Sequence, residues 1–188
     1  MTVASNENEM HSTLIDDYFE LLNVCAKSGS IIDLACGGGR NGLFLANKGL
    51  PVIFSDRSEN ALKIVSNTLT TIKGESKAWL VDLEQQNFNP LEGKQFSAAL
   101  IFRYLHRPLM PALLESIIPG GLIIYETFTI DNRQFGRPNN KDFLLQSGEL
   151  KNYFNNWEIL HYFEGILSNP DRAIAQIVCR KPIKNNGI

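Results

Sequence analysis

The sequence has only three cysteines, Cys25, Cys36 and Cys179, too far apart for a CxxC pair, and only three histidines. No Cys/His cluster at ligand spacing occurs, so no metal site is expected. Widely spaced free thiols suit a reducing compartment. Long apolar runs are missing too. Stretches such as Ala98 to Phe102 and Leu122 to Tyr125 fall far short of the roughly 20 residues a membrane-crossing helix needs. The first residues, MTVASNENEMHST, have neither the basic start nor the apolar middle of a secretory signal, so a cytoplasmic location is expected. Positive charge is not in excess: 18 Lys and Arg stand against 20 Asp and Glu, a net charge of −2. No broad positive field is available for a phosphate backbone, which makes nucleic acid a poor partner and a small molecule a better one. Nothing in the sequence speaks to oligomeric state.

What is present suits one domain with one sizeable core: 188 residues, 44% of them hydrophobic. Residues 1–12 read as a mobile lead, residues 13–182 as a single domain and residues 183–188 as a tail. Thr13 to Ser28 has helical spacing of apolar residues, with Thr13 and Asp16 as a capping-box-like start. Ser30 to Leu34 is a buried strand running into Cys36-Gly37-Gly38-Gly39, and Asn41 to Lys48 is a short helix. Strands follow at Pro51 to Ser55, Lys77 to Val81, Ala98 to Phe102 and Leu122 to Glu126. Between them lie helices, one capped by Ser58 and another over Pro108 to Ser116; the turn Pro119-Gly120-Gly121 precedes the fifth strand. Helical turns are expected near Asp142–Leu145 and Glu149–Phe154. Trp157 to Phe163 and Ala173 to Cys179 should close the chain as a hairpin. Strands alternating with helices imply an α/β, Rossmann-like, doubly wound sheet of seven strands, mostly parallel with one antiparallel strand near the C-terminus.

In such sheets ligands bind beyond the carboxyl ends of the strands. Asp33 and the glycine turn stand at the end of the first strand, Asp56 at the second, Asp82 at the third, Arg103-Tyr104-Leu105-His106-Arg107 at the fourth and Glu126 at the fifth. Gly37, Gly39 and Gly42 also spell GxGxxG, with Asp56 about twenty residues on, the fingerprint of a nicotinamide dinucleotide site. Asp33, four residues before the first glycine, argues the other way. A carboxylate there repels a diphosphate and suits an ammonium group, as in the methionine part of S-adenosylmethionine (SAM). Each acid also has a plain structural reading, Asp33 and Asp82 as turn or capping residues and Asp56 as a cap. Three of them around one glycine turn point to a site.

The pattern Asp33-x-Ala35-Cys36-Gly37-x-Gly39-Arg40-Asn41, then Asp56, then Val81-Asp82-Leu83, then Pro119-Gly120-Gly121, resembles the class I SAM-dependent methyltransferases over about residues 13 to 180. Gly39-Arg40-Asn41 resembles their small TehB-like (tellurite-resistance and thiopurine-methyltransferase-like) bacterial branch. The resemblance implies a SAM-dependent methyltransferase with S-adenosylhomocysteine (SAH) as product. Asp33 would meet the SAM amino group, and Ala35, Gly37 and Gly39 would let the backbone approach. Asp56 would hold the ribose hydroxyls, Arg57 would lie along the adenine, and Asp82 with the Leu83 N–H would read the adenine edge. Ala35 departs from the glycine many relatives carry.

After the fourth strand, relatives that methylate amino groups of adenine or glutamine carry an Asn/Asp-Pro-Pro-Tyr-like tetrad. Phe102 to Pro108 does not match it, which argues against those acceptors. His106 is the general-base candidate, since its intrinsic pKa lies near neutrality, against a plain surface or hydrogen-bonded histidine. Arg103 and Tyr104 are candidates to position the acceptor or the SAM carboxylate. The loop 128–140, with Arg133 and Arg137, reads either as a lid over an anionic acceptor or as a solvated loop. Tyr18 and Phe19 are placed on the opposite wall, His161 is read as structural and His11 as part of the lead. Two alternatives stay open: a SAM-binding module without activity, and a nicotinamide-dependent oxidoreductase.

Overall fold

The computed structural model describes residues 10–183. Most of the expected lead and tail, residues 1–9 and 184–188, lies outside the described residues. Thr13–Asp17 (α1) and Phe19–Ala26 (α2) precede Ile31–Leu34 (β1), Arg40–Asn47 (α3), Val52–Asp56 (β2), Glu59–Leu69 (α4) and Lys77–Leu80 (β3). Phe96–Phe102 (β4), Met110–Ser116 (α5), Ile117–Phe128 (β5), Glu149–Tyr153 (α6), Glu158–Leu167 (β6) and Arg172–Arg180 (β7) complete the chain. One seven-stranded sheet runs in the order β3-β2-β1-β4-β5-β7-β6. Neighbours from β3 to β5 pair in parallel, and β7 runs antiparallel to both β5 and β6. This is the doubly wound sheet expected, with the closing hairpin inserted next to β5.

Residues in the central strands are buried on both faces, as β1 and β4 are throughout. One face packs Ile32, Leu34, Ile101, Ile123 and Tyr125 against α5 and α6. The other packs Ile31, Phe54, Leu100 and Ile124 against α2, α3 and α4. Each fully buried Leu, Ile or Phe contributes about 1.5–3 kcal/mol relative to exposure, so these two layers fix the strand ends that carry the site.

Three local expectations change. The first helix is two: it breaks at Tyr18 (φ −114°, ψ 15°), whose hydroxyl reaches across to donate to the Leu160 carbonyl at 3.3 Å. Its cap is Ser12, one residue earlier than expected, and residues 11 and 12 are anchored. The His11 ring stacks on Phe44 at 3.8 Å, and the Ser12 N–H donates to Asn41 Oδ1 at 2.9 Å. Finally, Pro119-Gly120-Gly121 lies inside β5 as a bulge, since Ile117 pairs with Phe96 before Leu122 pairs with Ala98. Gly121 has to be glycine there: a Cβ would sit 2.7 Å from the Ser97 carbonyl oxygen.

Candidate cofactor cleft and acceptor site

The turn from β1 into α3 needs left-handed backbone at Ala35 (φ 51°), Gly37 (φ 53°) and Gly39 (φ 75°). Ala35 therefore occupies a conformation that favours glycine, at a cost of roughly 1 kcal/mol. A Cβ on Gly39 would lie 2.8 Å from Val65 and 3.1 Å from Phe54. Gly42, last of the GxGxxG glycines, would bring one to 2.5 Å from the Phe54 ring and 2.7 Å from Asp33 Oδ2. Gly42 is thus the residue that lets α3 lie close on the sheet. Asp33, 3% exposed, sits beneath this turn and accepts the Gly42 N–H at 2.9 Å. It caps α3, its plain structural reading. Burial pushes its carboxyl up to about 7, against the Gly42 hydrogen bond and the Arg40 charge, with Asp56 adding to the rise.

Ala35, Asp56, Arg57, Val81, Asp82, Leu83, Glu84 and Tyr104 line one cleft of about 110 Å³ beyond the ends of β1 to β3. Asp56 Oδ2 accepts the Gly37 N–H and Oδ1 the Ser58 N–H, both at 2.8 Å. The strand-two acid therefore holds the glycine turn in place. A carboxylate offers about four acceptor positions, so room remains for hydroxyl donors. Asp82 Oδ1 accepts the Glu84 N–H at 2.9 Å, an Asx turn at the cleft edge. Arg57 lies 3.6 Å from Glu84, exposed, a pairing of little energetic weight. Of the cofactor residues expected from the sequence, Ala35, Asp56, Arg57, Asp82 and Leu83 meet in this cleft. Gly37 joins it through Asp56, while Gly39 and Asp33 support it from behind.

Past β4 the chain turns sharply, because Arg103 is left-handed (φ 58°). Arg103 consequently parts from Tyr104 and His106, which share a small internal space with Leu34, Ile101 and Tyr125. Tyr104 goes to the cleft. His106 also lines the neighbouring groove with residues 83–90 and the start of α5. Arg103 turns toward β5: its Nη2 lies 2.9 Å from Glu126 Oε1 and its guanidinium 4.5 Å from the Phe128 ring. Gln176, opposite Glu126 in the sheet, donates to Glu126 Oε2 at 2.6 Å and contacts His161 at 3.3 Å. Burial lowers the Arg103 pKa; Glu126 opposes that, and the charges of Arg172 and Arg40 add to it. The charges of Arg40 and Arg172 are thus both felt at Arg103. The Nε atoms of Arg103 and Arg172 are buried without a hydrogen-bond partner among the described residues.

The segment after β5 is tied down at its base. Thr129 bridges Leu145, and buried Asn132 accepts the Ala173 N–H at 3.0 Å. Arg107 grips Glu149 at 2.6 and 2.9 Å and the Asp142 and Leu144 carbonyls. Arg133 and Arg137 are exposed on the stretch between.

Residues 5–177 match the family described as tellurite resistance protein TehB. The chain belongs to the TehB family. A probable S-adenosyl-L-methionine-dependent methyltransferase TehB of Haemophilus influenzae is 25% identical over 167 residues, 86% of this chain and 55% of that relative. The chain spans about half the length of the curated relatives it matches. In structure it is similar to TehB from Haemophilus influenzae, with a TM-score of 0.66 and 23% identity over 86% of this chain and 62% of that one. It is also similar to the N-methyltransferase NodS from Bradyrhizobium japonicum in complex with SAH, with a TM-score of 0.65 and 11% identity over 92% and 89% of the two chains. At these identities the likeness shows the fold, the Rossmann-like sheet of methyltransferases.

Several residues of the site had no role readable from the sequence. Glu126 was visible as a strand end, but Gln176 and Arg172 reach it from the distant β7 through the β5–β7 register, and Arg40 comes from the start of α3. Among the described residues no cluster of three or more His, Cys, Asp or Glu could hold a metal ion, and no helix is long and apolar enough to cross a membrane.

Proposed function

We propose that this TehB-family chain is a SAM-dependent methyltransferase acting on a small anionic acceptor. The observation that carries the cofactor assignment is the single cleft joining Ala35, Asp56, Arg57, Asp82 and Leu83 from the ends of three successive strands. Asp56 would take the ribose hydroxyls, while Asp82 and the Leu83 N–H would meet the adenine edge. Asp33 would act on the methionine amino group from behind the turn, through water. A dinucleotide is disfavoured, since the acids around the glycine turn repel a diphosphate. A SAM-binding module without activity differs only in lacking an acceptor site, and the arginine charges felt at Arg103 argue for one.

When bound, SAM supplies an electrophilic methyl group and leaves as SAH. The chain's own task is alignment and charge. Arg103, Arg172 and Arg40 would hold an anion at the end of β4, where two buried guanidinium Nε atoms have donors to offer. An anionic nucleophile needs no proton removed, so His106 is not required as a base. The name of the family makes tellurite the first acceptor to test. In this proposal the chain works in the cytoplasm on a small molecule, and its net charge of −2 makes nucleic acid a poor partner.

The test is turnover of SAM to SAH with tellurite, selenite and a panel of neutral thiols and amines. Turnover with the oxyanions that falls at least tenfold in Arg172→Ala supports the assignment. Turnover confined to neutral acceptors removes the anionic acceptor, and none with any acceptor, despite SAM binding, favours the binding module.

A further inference from the structure

The Tyr104 hydroxyl is closed to solvent and has no hydrogen-bond partner among the described residues. A buried hydroxyl left unpaired destabilises the fold, so a native orphan of this kind asks for a partner that arrives later. The residue is firmly placed. Its carbonyl accepts the Tyr125 hydroxyl at 2.9 Å, and Leu34, Ile101, His106 and Tyr125 share a small internal space with it, none of them bonded to its hydroxyl. Its other side lines the cofactor cleft, with Glu84, Asp82, Arg57 and Asp56 as its charged neighbours. Burial first, then Glu84 and Asp82, raise the phenol pKa well above its ordinary value. At neutral pH it is therefore a donor. The cleft thus sets carboxylate acceptors at the ends of β2 and β3 beside one neutral O–H donor at the end of β4. Adenine carries the complement, an exocyclic amino donor and ring-nitrogen acceptors.

We propose that Tyr104 reads the adenine of the cofactor by donating its hydroxyl hydrogen to a ring nitrogen, making it a specificity-determining residue of the cleft. This rests on the SAM assignment above. Because the hydroxyl is closed before a ligand arrives, a lining side chain has to move. Arg57, its side chain 68% exposed and 3.6 Å from Glu84, lines the same cleft and is exposed enough to swing.

The experiment is calorimetric titration of wild type and Tyr104→Phe with SAH and with its 1-deaza, 3-deaza and 7-deaza analogues, alongside thermal denaturation of both proteins without ligand. The variant should bind SAH about tenfold more weakly, the usual size of one such hydrogen bond. Its Tm should be equal or higher, since the hydroxyl has no partner to lose. One deaza analogue should bind wild type about tenfold more weakly and lose nothing further in the variant. Equal SAH affinity in variant and wild type overturns the proposal, as does an undiminished loss with all three analogues. Failure of wild type to bind SAH at all is a separate result, visible without the variant; it overturns the cofactor assignment and this inference with it.

Discussion

The Asp33 carboxylate accepts the Gly42 N–H at 2.9 Å from a position only 3% exposed. That single contact joins β1 to α3 beneath the glycine turn and places an ionisable group in the core. Burial pushes it up to about 7, from an ordinary aspartate value near 4. The folded chain therefore holds the proton more tightly than the unfolded chain. The stabilisation Asp33 brings is full below about pH 4 and is lost as pH rises through about 7. In Asp33→Asn this dependence is absent. The stability difference, wild type minus variant, should fall between about pH 4 and 7 by at most roughly 4 kcal/mol, as read from urea unfolding of both proteins across that range. Parallel profiles would refute the buried, proton-binding role.

Gly42→Ala should destabilise the fold by about 1–3 kcal/mol through overpacking, because the new Cβ meets Phe54 at 2.5 Å and Asp33 at 2.7 Å. Gly38→Ala, with open space around it, should stay within about 0.5 kcal/mol. Thermal denaturation of the two variants side by side checks the contrast, and equal effects would remove it.

These two predictions fall where the sequence was most legible. The glycine turn, Asp56, Asp82 and the strand periodicity are local signals, so the sheet and the meeting of these strand ends in one cleft were legible in the sequence. Signals that depend on one backbone angle or on distant segments could not. Arg103 and Tyr104 are adjacent and read as a pair, yet a φ of 58° at Arg103 sends one toward Glu126 and the other into the cleft. The bulge at Pro119–Gly121 looked like a turn because its pairing with Phe96 and the close approach of Ser97 lie twenty-odd residues back in the chain. Gln176 gives no sign in sequence that it faces Glu126.

Arg103 and Glu126 should behave as a coupled pair. Arg103→Ala leaves the carboxylate buried with Gln176 as its remaining side-chain partner and should cost about 3 kcal/mol. Adding Glu126→Gln removes the uncompensated charge and should recover part of that loss. Unfolding free energies of the two single variants and the double variant complete the cycle; strict additivity would show that the 2.9 Å contact carries no energy.

His106→Ala should retain turnover within about threefold of wild type on an anionic acceptor, because no proton is removed in that chemistry and His106 lines the groove beside α5, not the cofactor cleft. Initial rates of SAH formation measure it. A loss of a hundredfold or more would return His106 to the role of general base.

The central claim is the identity of the cofactor, and calorimetric titration of the purified protein with SAM, SAH and NADH tests it most directly. Saturable binding of SAM and SAH, weakened at least tenfold in Asp56→Ala and absent for NADH, is the predicted result. Binding of NADH without SAM or SAH would contradict it and make the GxGxxG turn a dinucleotide site.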